Sequence, residues 1–300
     1  MEKLSGEKIK TMFIECCSKG ALLVAKGLLE IDPSIDNIED AFKRACQNGK
    51  LEVAKWLREK YPNIDIHTDN EWAFRWACAD GHLETAKWLH EKYPNIDIHT
   101  YNEWAFIWAC ANGHLETAKW LWQLDQKVNI HADNENAFIL TCDSGHLETA
   151  KWLLQLNQKI DIHAQNERAF RVACVNGYLE LAKWLWQLDQ KIDIHVINEH
   201  AFRWACANNH LETAQWLSTL CSDYILKVEN GKITHSGIKD DKKEAIELLE
   251  NDKYEEAINK IKEIQEHKLE KKKKEAAAII ELINNDKYDE AITKLESINK

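Results

Sequence analysis

The chain has 300 residues, 45% of them hydrophobic and 30% charged, with a formal net charge of -11 at pH 7. That balance argues against nucleic-acid binding, which draws its affinity from Lys and Arg, and no apolar run approaches the ~20 residues needed to span a bilayer. Only 3 Pro and 10 Gly leave little room for turn-rich β folds or flexible linkers.

In chain order, the first feature is a unit that is imperfect. Met12 to Leu29 aligns with Ala41 to Arg58, keeping Cys17, Gly20, Leu22, Ala25 and Lys26 in register but lacking the Trp, and it stands 29 residues ahead of the next unit. Terminal repeats are atypical because one face meets water, so this unit reads as an N-terminal cap. The opening MEKLSGEKIK holds no signal-peptide core. The expected location is therefore the cytoplasm, with the nucleus also open.

Ala-Phe then recurs at Ala41-Phe42, Ala73-Phe74, Ala105-Phe106, Ala137-Phe138, Ala169-Phe170 and Ala201-Phe202, always 32 residues apart. A fixed period in this range marks a repeat array. Within one unit, Phe74, Ala77 and Cys78 fall at i, i+3 and i+4 and make one apolar helix stripe. Asp69 or Asn70 is the expected N-cap, and Gly81 stands where a helix end needs positive φ. A second helix buries Leu83, Ala86, Leu89 and Tyr93 until Pro94 stops it. Ile96-Asp97-Ile98-His99 alternates apolar and polar, as an extended segment does. A lone helix pair of this size cannot bury its own Phe, Leu and Trp, so stacking is implied by the composition.

Six of the nine cysteines, Cys46, Cys78, Cys110, Cys142, Cys174 and Cys206, follow the same period. They read as reduced packing residues. The last unit ends near Ser218. Asn230-Gly231 separates two β-prone runs, Tyr224 to Val228 and Lys232 to Thr234, which predicts a small hairpin in a junction over 219–238. Beyond it, Asn251-Asp252-Lys253-Tyr254 recurs as Asn285-Asp286-Lys287-Tyr288, 34 residues on, so 239–300 reads as two helical hairpins.

Gly81-His82-Leu83-Glu84 and Ile96-Asp97-Ile98-His99, repeated in phase, resemble the second helix and tail of the ankyrin repeat over about residues 10–218. The Trp-rich Ala-Phe-x-Trp-Ala-Cys form is most similar to the ankyrin proteins of giant DNA viruses of amoebae. Trp72-Ala73-Phe74-Arg75 departs from the family's Thr-Pro-Leu-His, and the tip between tail and first helix is shorter than the family's. The resemblance implies an all-α solenoid of seven units that binds a protein client, with the first helices lining the concave face. Tyr254 to Ala257 and Tyr288 to Ala291 resemble tetratricopeptide repeats through their Tyr-x-x-Ala and 34-residue spacing.

Two histidine ladders run through the array, His67, His99, His131, His163 and His195, and His82, His114, His146 and His210. A metal needs ligands converging at ~2 Å on one ion. Residues one repeat apart stand ~8–10 Å apart, so the ladders read as helix starts and inter-repeat hydrogen bonds, with no metal and no cofactor. No GxSxG, Walker loop or HExxH is present, and the chain reads as no enzyme.

The informative positions differ between units. They flank Ala-Phe on one helix face, and Trp, Tyr and Arg are enriched in interface hot spots. Trp72, Arg75, Tyr101, Trp104, Arg168, Arg171, His200 and Arg203 are accordingly the expected partner surface. The competing reading is that Trp72 and Trp104 stack on each other as packing. The expected function is a non-enzymatic scaffold or adaptor, monomeric or joined through its tail. The alternative is a self-assembling structural component without a client.

Overall fold

The computed structural model describes residues 6–125, 128–156 and 159–239, with residues 256, 259 and 262. The chain divides into two units, Met1–Ser222 with Leu226–Ser236 and Asp223–Ile225 with Gly237–Lys300. Apart from a few residues the second falls outside the described ones, and so do the tetratricopeptide-like hairpins expected over 239–300.

The first unit is an all-α solenoid of seven helix pairs, as expected. They are α1 (Gly6–Lys19) with α2 (Leu22–Ile31), α3 (Ile38–Gln47) with α4 (Leu51–Lys60), and α5 (Thr68–Ala79) with α6 (Leu83–Lys92). Next come α7 (Thr100–Ala111) with α8 (Leu115–Leu124), and α9 (Ala132–Asp143) with α10 (Leu147–Gln155). Then follow α11 (Ala164–Val175) with α12 (Leu179–Leu188), and α13 (Val196–Ala207) with α14 (Leu211–Leu220). Each first helix packs on the first helix of the next pair.

The period-32 residues are the core. Phe42, Phe74, Phe106, Phe138, Phe170 and Phe202 are fully buried, with the Ala and Cys of the same helices. Burial pushes the thiols of Cys46, Cys78, Cys110, Cys142 and Cys174 well above the ordinary thiol range, and that of Cys17 up to about 12. Trp56, Trp88, Trp120, Trp152 and Trp216 of the second helices each reach back to the Phe of the preceding pair. Trp88 meets Phe42 at 6.3 Å between ring centroids, Trp120 meets Phe74 at 6.2 Å, and Trp216 meets Phe170 at 6.1 Å. Burying a large aromatic is worth ~2–3 kcal/mol, so this pairing is a main adhesive between repeats.

The turn between helices is a Schellman motif. His82 N donates to Ala77 O at 2.8 Å and Gly81 N to Cys78 O at 3.1 Å, with Gly81 at φ 74°. Glycine is needed there twice over. A Cβ on Gly81 would stand 2.3 Å from Nδ1 of His114, so the second histidine ladder lies on the glycines of the preceding pairs. No further helix pair follows α13 and α14 among the described residues, and there Asn209 takes the positive φ instead.

The start of the first helix differs from expectation. Neither Asp69 nor Asn70 caps α5 with its side chain. Asp69, Asn70 and Glu71 are left-handed, at φ 54°, 53° and 62°, and the helix proper begins only after them. The same three-residue left-handed turn opens α7, α9, α11 and α13. Left-handed backbone costs on the order of 1–2 kcal/mol per non-Gly residue, so something must offset it. The carboxylate of Glu103 does so at α7. It accepts from His99 Nδ1 at 2.9 Å and from the backbone N–H of Asn129, in the next pair, at 3.1 Å. Glu71, Glu135 and Glu167 make the matching bonds to His67, His131 and His163 and to the N–H groups of Asp97, Asp161 and Asp193. The glutamate, not the histidine, thus bonds between repeats. The Ile-Asp-Ile-His tail accordingly closes into a turn, with Asp97 Oδ1 accepting from His99 N at 2.9 Å.

Strands β1 (Tyr224–Glu229) and β2 (Lys232–Ile238) pair as a two-stranded sheet. Asn230 and Gly231 both take positive φ, 51° and 72°, as a type I′ hairpin turn requires. Ile233 N of β2 donates to Asn209 Oδ1 at 3.1 Å, so the asparagine that replaces glycine ties the hairpin to the last helix pair.

Candidate protein-interaction surface

The first helices carry a continuous strip of indoles. Trp72 and Trp76 of α5 lie 5.6 Å apart, Trp76 and Trp104 5.1 Å, and Trp104 and Trp108 of α7 5.8 Å. The i, i+4 spacing puts each pair on one helix face, and stacking of α5 on α7 joins the pairs. Trp76 stands between Trp72 and Trp104, so the two expected site residues belong to one ladder and are bridged by a third ring. Lys43 and Arg44 of α3 hold their cationic groups 6.0 and 5.5 Å from the Trp72 centroid. The strip remains partly open to solvent, most of all at Trp108.

The arginines divide. Arg75 is buried, with Nε donating to Asn70 O at 2.7 Å and Nη2 to Asp69 O at 2.9 Å. Its guanidinium lies 4.6 Å from the Tyr101 ring centroid and 4.9 Å from that of Trp104. Arg171 is buried likewise, donating to Asn166 O at 2.8 Å and Gln165 O at 3.2 Å. The expectation that both face a partner is therefore corrected. They satisfy the carbonyls of the left-handed turns, and Arg75 is covered by Tyr101 and Trp104 of the next pair.

Arg168 is half-buried and donates to Gln165 Oε1 at 2.6 Å. Tyr101 is exposed, its hydroxyl accepting from Asn70 Nδ2 at 2.9 Å. Burial, and then the Arg171 charge, lowers the pKa of His200. Arg203 occupies the register of Arg75 and Arg171 but is exposed. With Ile197, His200 and Trp204 it lines a cleft of about 450 Å³, where Trp204 is 50% exposed.

Sequence reasoning missed Trp76, Trp108 and Trp204. The signal was present, since each follows Trp72, Trp104 or His200 by four residues and so shares its face. The strip has no arrangement of nucleophile, base and orienting group, and its chemistry is aromatic and apolar contact with cations at the margins.

A linear stack of helix pairs, bonded through repeated side chains and exposing a variable first-helix face, defines a helical-repeat protein. Comparison with known proteins makes this specific. The family model described as ankyrin repeats (3 copies) matches residues 5–102, 42–132, 74–166 and 106–198. The chain belongs to the ankyrin-repeat family. No curated protein matches it. Among solved structures, the crystal structure of the human ASB11 ankyrin repeat domain is similar, at 22% identity and TM-score 0.47, over 68% of this chain and 96% of that one. No helix among the described residues is long and apolar enough to cross a membrane.

Proposed function

We propose that this chain is a non-catalytic scaffold or adaptor that holds a protein client against its first-helix face. Ankyrin repeats are in general protein-interaction modules, which sets the class of function. The observation that carries the specific reading is the indole strip from Trp72 to Trp108. Contiguous partly exposed aromatics outside a core mark interaction sites, and Trp is the residue most enriched in hot spots. The proposed contacts are Trp72, Trp76, Tyr101, Trp104 and Trp108, with Arg168, His200, Arg203 and Trp204 as a second patch along the same row of helices. The acidic balance favours a protein over a nucleic acid as client. The reduced cysteines fit a cytoplasmic setting, that of a host cell if the chain is viral.

The test is affinity capture from lysate with the full chain and with Trp76→Ala/Trp108→Ala, two changes that leave the buried arginines in place. A protein retained by the first and lost by the second supports the strip as the client site. Equal recovery by both, with matching circular dichroism, moves the client to another surface.

A further inference from the structure

The first helix pair exposes what an end cap normally hides. On α2, Leu23 is 83% exposed, Val24 53% and Ile31 72%. A terminal repeat that meets only water is expected to turn a polar face outward, and the sequence does the reverse. At the register of Leu23 the six other pairs carry Glu52, Glu84, Glu116, Glu148, Glu180 and Glu212. At the register of Val24 they carry Val53, Thr85, Thr117, Thr149, Leu181 and Thr213, all buried in the stack. At the register of Ile31 the next two pairs carry Lys60 and Lys92, and the four after them Leu124, Leu156, Leu188 and Leu220.

Gly27 sharpens the point. It stands at the register of Trp56, Trp88, Trp120, Trp152, Trp184 and Trp216, and among the described residues no helix pair lies ahead of α1 and α2 for such a ring to reach. A small residue would serve, yet Gly is the worst helix former after Pro, by ~1 kcal/mol relative to Ala. The fold does not require it, because a Cβ on Gly27 would meet nothing within 4 Å and its φ is not positive. A glycine with no reason inside the chain admits a close approach from outside it.

We propose that α2 is the contact helix of a two-fold dimer, pairing antiparallel with α2 of a second copy and crossing at Gly27. The stripe is self-complementary about that residue. Leu23 and Ile31 lie four residues to either side of it on one face, so reversal sets Leu23 of one copy against Ile31 of the other, as an isologous contact requires. The charges agree. Lys26 and Glu30 are exposed along the outer flank of the stripe, and antiparallel pairing brings Lys26 of each copy beside Glu30 of its partner. With Gly27 at the crossing the backbones can close to the short end of the ~8–10 Å range of helix packing. The dimer leaves the indole strip of the first helices free, so it presents two client surfaces.

The test is sedimentation equilibrium of the full chain over a hundredfold concentration range. The wild type is expected to dimerise. Leu23→Glu/Ile31→Lys, which installs the residues of the next two pairs, is expected to weaken the dimer at least tenfold with unchanged helicity. Gly27→Trp, again the residue of the other pairs, is expected to weaken it similarly. Gly27→Cys is expected to cross-link to its own copy under mild oxidation, since the two-fold axis places the residue beside itself, whereas Lys55→Cys on α4 is not. Should the double variant lose helicity, Gly27→Trp and the cross-link decide. A monomeric wild type at 100 μM on the order of the concentrations used for weak dimers, or a dimer untouched by both variants, overturns the proposal. A wild-type monomer whose stripe instead captures a different protein overturns it in favour of that partner.

Discussion

Two helix starts in the same array are built differently. At α3 the chain runs Ile35-Asp36-Asn37-Ile38-Glu39, and the helix begins at Ile38 with Asn37 at φ -83°. At α5 it runs His67-Thr68-Asp69-Asn70-Glu71, and the backbone makes a left-handed turn first. The glutamate is present in both, yet Glu39 is exposed while Glu71 is buried. What α3 lacks is the histidine four residues before the glutamate and the asparagine immediately before it. His orients the carboxylate, Asn tolerates positive φ better than most residues, and the carboxylate then finds the backbone of the next pair. The lesson is that the turn goes with the combination His-x-x-Asn-Glu, and that the glutamate alone is not sufficient.

The largest test breaks that combination at one end of the comparison. Glu103→Ala removes the bond to His99 and the part-buried bond that the N–H of Asn129 donates to the same carboxylate. Together these should cost about 3 kcal/mol, read as a lowered urea midpoint. Glu39→Ala should fall within ~0.5 kcal/mol of wild type, and an equal loss from both would mean that the comparison is empty.

Next in size is the turn at the other end of each first helix. Gly113→Ala forces a Cβ to 2.5 Å from His146 Nδ1 at φ 75°, and a loss of about 2 kcal/mol is expected. Asn209→Gly, with no further helix pair after it among the described residues, should change stability by only a few tenths of a kcal/mol, because the conformation is already suited to Gly. The tie to Ile233 is the part that can be lost.

The arginines sharpen the comparison between covered and open pairs. Arg75→Ala leaves the carbonyls of Asp69 and Asn70 without their donors and should lower stability by ~1–2 kcal/mol. Arg203→Ala, at the open register, should leave the thermal midpoint unchanged while reducing client recovery. A large thermal shift for Arg203→Ala would place it with the buried set.

The smallest expected effect is with pH, and the two histidine ladders oppose each other. Burial lowers the pKa of His99, but hydrogen bonds and charge attraction from Glu103 and Asp125 outweigh it, and the net shift is upward, as for His163 with Glu167 and Asp189. The stabilisation from these two is full below the unfolded value of ~6.5 and is lost as pH rises through the raised folded values. Burial lowers His82, His114 and His146. Their neutral form fits the glycine turns, so that contribution is full above ~6.5 and is lost as pH falls through the depressed values. Changing His99→Gln should reduce the stability lost between pH 6.5 and 8, and His114→Gln the loss on the acid side, each followed by urea midpoint.

The parts of this architecture legible in the sequence are those fixed by short-range rules. The 32-residue period, the glycine at each helix end and the packing cysteines each follow from one residue type in one local setting. The left-handed turns did not, because the expected cap at Asp69 or Asn70 is the better local choice. It is overruled by a bond from Glu71 to an N–H group 26 residues away. Arg75 failed for the same kind of reason. Its helix face was assigned correctly, but whether that face meets water depends on Tyr101 and Trp104 of the next pair. Arg203, with no further pair after it among the described residues, is exposed.

The carboxylate that reaches 26 residues ahead has a consequence for how such a chain changes length. The units of α5, α7, α9 and α11 each hand this bond forward to their successor, and the donor waiting there is a main-chain amide that any sequence supplies. Copying one unit in place therefore creates a new junction with the same contacts as the old ones, and excising one rejoins matching partners. The units of α1 and α3 lack the left-handed device, and that of α13 has Asn209 in place of glycine, so these do not match the units between them. Insertion and loss by unequal crossing-over are thus structurally silent in the middle of the array and disruptive at its ends.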